Sequence, residues 1–363
     1  MKRYAILIVA VAVLFATQSA ASFARTFAKI SGESVALFGT TPKRLLYPIK
    51  RIISAYGYAS NGTKITFTEG VDFQIEEEMI RRTSNSRMFD FEMYRIEARQ
   101  DGKFEWRASP TNPPLTVEFQ VYVDYEAFDT TYAPIIPRAN APISGTVYVV
   151  GDSIANGAET IARHFRNSYD ETFGTLLERH IDGIHVEIAP RNPDLTLLKR
   201  NLQYYIDQHP AAIIIEFGMN DRVLTSQTRF ERDLDHVVRQ LVESRTKVIL
   251  VGFFQDNPNW SGADPKKTFA FNESIARIAS RYNTPFIDLW SAFRDLGKRK
   301  DIYMDVLGDA FHHPNTFGHK IYFSLLLPYF LTQPKSSNDF EPNYVDTTSF
   351  LKLTIPQTKS GRP

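Results

Sequence analysis

The chain has 363 residues, a hydrophobic content of 43% and a net charge of +1 from 42 basic and 41 acidic side chains. That length suggests about two domains, and the balanced charge argues against a nucleic-acid or anionic-membrane partner, which needs a basic surface. With no cysteine, a disulfide, a thiolate nucleophile and a cysteine-held metal are excluded.

The N-terminus reads Met1-Lys2-Arg3, then an apolar run over residues 4–16, then small residues in Ser19-Ala20-Ala21 and Ser22-Phe23-Ala24. A basic start, an apolar middle and an A-x-A-like step are the layout of a secretory signal over residues 1–24. About 13 apolar residues is short for a membrane span. The expectation is a secreted or periplasmic protein with no stable membrane insertion after cleavage. An uncleaved anchor is the alternative.

Residues 25–133 read as strands. Lys64-Ile65-Thr66-Phe67-Thr68, Val71-Asp72-Phe73-Gln74-Ile75, residues 89–96 and residues 117–123 alternate at period two. Turn signals separate them, among them Asn61-Gly62, Asp101-Gly102 and Pro113-Pro114. Such punctuation predicts a small antiparallel β-sandwich or jelly roll. The acidic run Glu76-Glu77-Glu78 fits a solvated strand end or loop. The 13% aromatic content fits β-structure and core ahead of a surface that stacks on sugar rings.

A proline-rich linker, residues 134–145, precedes a change of pattern. From 146 to 332 apolar runs at 147–150, 211–217, 247–253 and 285–289 alternate with helical periodicity, and 185–188 is a further candidate strand. Near-continuous apolar strands are covered on both faces, so a parallel α/β sheet is predicted. Phe230, Leu234, Val238 and Leu241 share one helical face, as do Phe271, Ile275, Ile278 and Tyr282. The last helix starts near Asn315, and a polar tail follows over 333–363.

Three short motifs sit where such a fold gathers its chemistry, at strand ends. The first is Gly151-Asp152-Ser153, on an expected turn from strand into helix. The second is Gly218-Met219-Asn220-Asp221, and the third is Asp309-Ala310-Phe311-His312-His313-Pro314-Asn315. A serine hydroxyl needs a base, a histidine serves if an acid fixes its tautomer, and an amide donates to an oxyanion. Each motif alone has a bland reading. Asn220 and Asp221 suit a turn, and Asp309 suits a helix cap.

Together and in this order, the three motifs resemble the SGNH/GDSL hydrolase superfamily over about residues 146–331. The resemblance implies a flavodoxin-like three-layer α/β/α domain with a parallel sheet, and ester hydrolysis with no cofactor and no metal. It implies Ser153 as nucleophile, with Asn220 and the Ser153 N–H as oxyanion donors. Two departures stand out. The family's usual loop glycine, a third donor, is missing from Ala189-Pro190-Arg191-Asn192-Pro193-Asp194-Leu195-Thr196. Asn192 or Asp194 is the candidate to present that N–H, since both tolerate unusual backbone angles. The family's Asp-x-x-His spacing selects His312 as base, whereas its His-Pro-Asn-x-x-Gly pattern selects His313. The latter is preferred because the His-Pro step and Gly318 fix the helix start. His319 is expected on the helix surface.

A Gly-x-Ser-x-Gly elbow only half fits Gly151-Asp152-Ser153-Ile154-Ala155. A metal site from Asp152, Asp221, Asp309, His312 and His313 lacks paired ligand spacing. The expected activity is hydrolysis of acetyl or short-chain acyl esters, on a small molecule or polysaccharide. The same residues suit an O-acetyltransferase, and the missing glycine suits a carbohydrate- or envelope-binding protein on a catalytically weak fold.

Overall fold

Eleven strands and ten α-helices are found among the residues that the computed structural model describes, which are 28–93, 103, 116–127 and 143–331. The signal segment 1–24, the linker up to residue 142 and the tail 333–363 lie outside the described residues. No helix among the described residues is long and apolar enough to cross a membrane.

The N-terminal part is antiparallel. Strands β1 (Ala28–Val35), β2 (Ile49–Tyr58), β3 (Lys64–Phe67) and β6 (Val121–Ala127) form one sheet in the order β1-β6-β2-β3. Strands β4 (Phe73–Glu76) and β5 (Met79–Arg82) form a hairpin. Its loop is Glu77-Glu78, both at positive φ (48° and 64°), as a two-residue hairpin turn of matching twist requires.

Two predicted strands are corrected. In the 89–96 segment Phe89 and Asp90 are irregular, Phe91–Met93 is a 3-10 turn, and 94–96 lie outside the described residues. Thr116–Glu118 is likewise a 3-10 turn, and the strand begins only at Val121. In both places alternation reflects side chains docking singly: Phe91 and Val117 are buried at 2% and 0% exposure with no ladder beside them.

The second half is a parallel sheet of β7 (Gly145–Gly151), β8 (Ile184–Ile188), β9 (Ala212–Glu216), β10 (Lys247–Val251) and β11 (Phe286–Ile287). The order β11-β10-β9-β7-β8 is doubly wound, so the chain reverses its direction of growth between β7 and β9. Every residue of β9 is buried, which explains its unbroken apolar run. The predicted fifth strand is shorter than its apolar run, because Asp288 caps a helix that begins at Leu289.

Helices cover both faces. Helices α1 (Ile161–Arg166), α2 (Phe173–His180), α3 (Leu195–Arg200) and α4 (Leu202–Asp207) precede β9. They are followed by α5 (Asp221–Leu224), α6 (Gln227–Glu243), α7 (Pro265–Arg281), α8 (Leu289–Leu296), α9 (Ile302–Asp305) and α10 (Thr316–Leu326). Phe230, Leu234, Val238 and Leu241 of α6 are all buried, as their spacing predicts. Helix α10 is buried nearly all round because it lies between α2 and β1. His319 therefore sits in the core, against the expectation of a surface position. Its Nδ1 accepts the Phe173 N–H at 3.3 Å, and burial pushes its pKa down to about 3.

Leu234 is 1% exposed, so Leu234→Ala should cost about 2–5 kcal/mol of stability. Urea unfolding should show a lower midpoint at unchanged slope; a loss under about 1 kcal/mol would contradict this packing.

Candidate active site

Strand β7 ends at Gly151. A Cβ there would lie 2.5 Å from both the Ala155 Cβ and the Glu216 carbonyl oxygen, so only glycine lets the strand end so close to its neighbour. Beyond it the chain turns through residues 153–159, and regular helix begins only at Ile161. The turn expected between Gly-Asp-Ser and the helix thus runs over residues 153–159. Local bonds compete with the helix here: Asp152 Oδ1 accepts the Ile154 N–H at 2.9 Å, and the Ser153 carbonyl accepts the Ala158 N–H at 3.0 Å.

Asp152 and Glu216 are both buried beneath this turn. Burial raises the Asp152 carboxyl, and burial with the adjacent Asp152 charge holds Glu216 well above the usual carboxylate range. Two neighbouring buried carboxyls disfavour each other's ionisation.

The third motif is a buried loop organised on Asp309. Its Oδ1 accepts the main-chain N–H groups of Phe311, His312 and His313 at 2.8, 3.1 and 3.1 Å. Its Oδ2 accepts the His313 Nδ1–H at 2.5 Å. That bond leaves His313 Nε2 as the acceptor, and it lies 2.8 Å from Ser153 Oγ. Burial alone would raise the Asp309 pKa, but the His313 charge and hydrogen bond outweigh it and hold it at about 2. Burial would lower His313; the Asp309 charge and bond, with Glu159 and Asp152, raise it above its ordinary value.

The structure distinguishes the two adjacent histidines. His313 faces Ser153, whereas the His312 ring stacks on Trp260, centroids 5.3 Å apart at 24°. Burial and the His313 charge push His312 down to about 3, so it stays neutral near pH 7. Asp309, His312 and His313 also place potential metal ligands within 4.8 Å of one another. Two ligands of one tetrahedral zinc ion sit roughly 3.3 Å apart. The 2.5 Å Asp309–His313 contact is that of a hydrogen bond.

Asn220 follows β9 on the other side of the switch point. It stands at the N-cap position of α5, yet its side chain makes no capping bond, which leaves the amide available at the strand end. Asp221 is buried, accepts the Leu195 N–H at 3.1 Å, and is pushed up by burial to about 7. Gly218 is a close-packing position. Its φ is +132°, and a Cβ would lie 2.3 Å from the Phe253 ring.

Of the two candidates for the missing donor, Asn192 already has its N–H engaged. The Asn192 N–H is spent on the Gly151 carbonyl at 3.1 Å, which ties this loop to the end of β7. Asp194 caps α3, accepting the Thr196 N–H at 2.8 Å. Arg191 is exposed on the same loop, near enough for its charge to act on Asp152 and His312.

Sequence reasoning missed the loop after β10. Asn257 donates its side-chain N–H to the Ala310 carbonyl at 2.8 Å and its main-chain N–H to the Phe311 carbonyl at 2.9 Å. These bonds hold Ala310 at a φ of 58°. The buried Arg222–Asp256 ion pair, 2.8 Å, lies beneath the Trp260 ring. Their signal was present in Asp256-Asn257-Pro258-Asn259-Trp260, a polar cluster at the carboxyl end of a parallel strand.

Residues 149–321 match the GDSL-like lipase/acylhydrolase family. No curated protein matches the chain. Among solved structures it is similar to an alpha/beta hydrolase from the metagenome of Lake Arreo, Spain, at 18% identity and TM-score 0.45, over 53% of this chain and 98% of that one. It is similar to a lipase/acylhydrolase from Enterococcus faecalis at 18% identity and TM-score 0.42, over 53% and 99%. A catalytic mutant of an acetylxylan esterase from Geobacillus stearothermophilus aligns at 20% identity and TM-score 0.43, over 52% and 94%. Residues 149–321 of the doubly wound second half thus carry a GDSL-like lipase/acylhydrolase domain, the ester-hydrolase type that the three motifs resemble.

Proposed function

We propose that the protein is a serine carboxylesterase that removes acetyl or other short acyl groups from carbohydrate esters through an acyl-enzyme on Ser153. The observation that carries this reading is the buried chain of hydrogen bonds from Ser153 Oγ through His313 to Asp309. In the mechanism His313 Nε2 takes the Ser153 proton as Oγ attacks the ester carbonyl. The Ser153 N–H and the Asn220 amide stabilise the tetrahedral oxyanion. His313 then returns its proton to the departing alcohol, and water, activated by the same histidine, releases the acid. Asp309 stays ionised throughout and stabilises the imidazolium.

The carbohydrate assignment rests on the signal-like segment 1–24 and on the antiparallel β-region that precedes the hydrolase domain. An exported ester hydrolase meets polymers outside the cytoplasm. The proposed organisation keeps a β-domain at 25–133, a linker at 134–145 and the hydrolase domain at 146–332.

Hydrolysis of p-nitrophenyl acetate should fall by roughly 10⁴–10⁶-fold in kcat for Ser153→Ala and His313→Ala, and far less for His312→Ala. Wild type no faster than Ser153→Ala, with Ser153 unlabelled by a fluorophosphonate, would sink the proposal. Asn220→Ala should lose roughly 10²–10³-fold in kcat.

The base must be neutral to accept a proton. Because its pKa is raised, kcat/KM should fall as the pH drops through a value above about 6.5. That limb should persist in His312→Ala, since His312 titrates only at about 3. A limb that disappears in His312→Ala would reassign the ionisation.

A further inference from the structure

The antiparallel β-unit meets the hydrolase domain through buried polar bonds that converge on the two flanks of the 309–313 loop. On the N-terminal flank, Gln120 Nε2 donates to the Met304 and Leu307 carbonyls at 2.7 and 2.9 Å, and Thr116 Oγ1 donates to Leu307 at 2.6 Å. The Val117 N–H donates to the Gly308 carbonyl at 3.0 Å, while the Gly308 N–H donates to the His313 carbonyl at 2.8 Å. On the C-terminal flank, Asn315 Nδ2 donates to Ser34 Oγ, Gln120 Oε1 and the Asp305 carbonyl at 2.9, 2.7 and 3.0 Å. Asn315 Oδ1 accepts the Gly318 N–H at 3.0 Å and so fixes the start of α10. Ser34 Oγ also donates to the Asp305 carbonyl.

These groups are buried, with Ser34, Asn315 and Asp305 at 0% exposure and Gln120 at 1%. Without the β-unit, the Leu307 and Gly308 carbonyls and the Asn315 amide would lose partners in a region that excludes water. A separable accessory domain would spread its contacts over the surface it touches. This one places side chains of β1 and of the segment leading into β6 against the short stretch that carries the proposed acid and base.

We infer that the β-unit is part of the catalytic apparatus, with Ser34, Gln120 and Asn315 as positioning residues that set where the 309–313 loop holds His313. Asn315 is the node. It reads the β-unit through Ser34 and Gln120, and it acts on His313 through the Pro314 step and the α10 cap. The inference rests on the esterase reading for its kinetic consequence, but its structural content concerns His313 itself.

The test uses the full chain with Ser34→Ala, which removes one hydroxyl, and Gln120→Met, which keeps length and removes the polar atoms. Active sites are counted with a fluorophosphonate, so that misfolded molecules do not enter kcat. The expected result is a loss of about tenfold or more in kcat per counted site at little changed KM, since small misplacements of a reacting group have large effects. The His313 imidazole titration, followed by NMR, should shift in the same variants. Unchanged kcat per site and an unshifted titration, with only a lower melting temperature, would overturn the inference and leave a merely structural interface. Should Gln120→Met not fold, Ser34→Ala decides alone. Should wild type lack Ser153-dependent turnover, the esterase reading fails, and the His313 titration still decides the positioning claim.

Discussion

The Asp309 carboxylate organises the site because it is a charge with almost no access to water. Such a group is tolerated only when its oxygens are filled by hydrogen bonds, and a buried charge left without them costs several kcal/mol. Three main-chain N–H groups and one imidazole N–H meet that requirement. To meet it the loop must curl tightly, with Ala310 in the left-handed region. The curl aims His313 at Ser153 and turns His312 toward Trp260. One electrostatic constraint therefore fixes the backbone, the tautomer and the direction of the ring.

The loop does not hold this shape alone. Asn257 ties its middle to the loop after β10, and the β-unit ties both of its ends. Across the crevice, the sheet reverses its direction of growth between β7 and β9, which opens a gap at their carboxyl ends. Ser153 and Asn220 stand on the two sides of that gap. Gly151 and Gly218 allow the close approaches that put them there, against the Glu216 carbonyl and the Phe253 ring respectively.

Features that depend on neighbours in sequence were legible in advance. The period of Phe230, Leu234, Val238 and Leu241 announced a half-buried helix, and the unbroken apolar run of β9 announced a strand covered on both faces. The three motifs were visible as polar residues at the ends of apolar runs. Where one side chain docks singly, the same logic misled. The 89–96 and 117–123 stretches alternate like strands, yet Phe91 and Val117 sit in 3-10 turns, since alternation records burial and is silent about ladder partners. The position of His319 was missed for a related reason. A helix packed on two sides has no surface face, and its own sequence cannot report the second side.

The amino-acid sequence by itself determined the α/β pattern and the antiparallel region before it, and it singled out Ser153, Asn220, Asp309 and the histidine pair as candidates, because each rests on local period or on short motifs. Only the tertiary structure decided that His313 rather than His312 faces Ser153, that the Asn192 N–H is spent on Gly151, and that the polar residues of the β-unit converge on the flanks of the 309–313 loop. Those outcomes depend on which buried donor finds which buried acceptor. Such pairings join residues as far apart as Ser34 and Asn315, and they form only when the whole chain has closed around them.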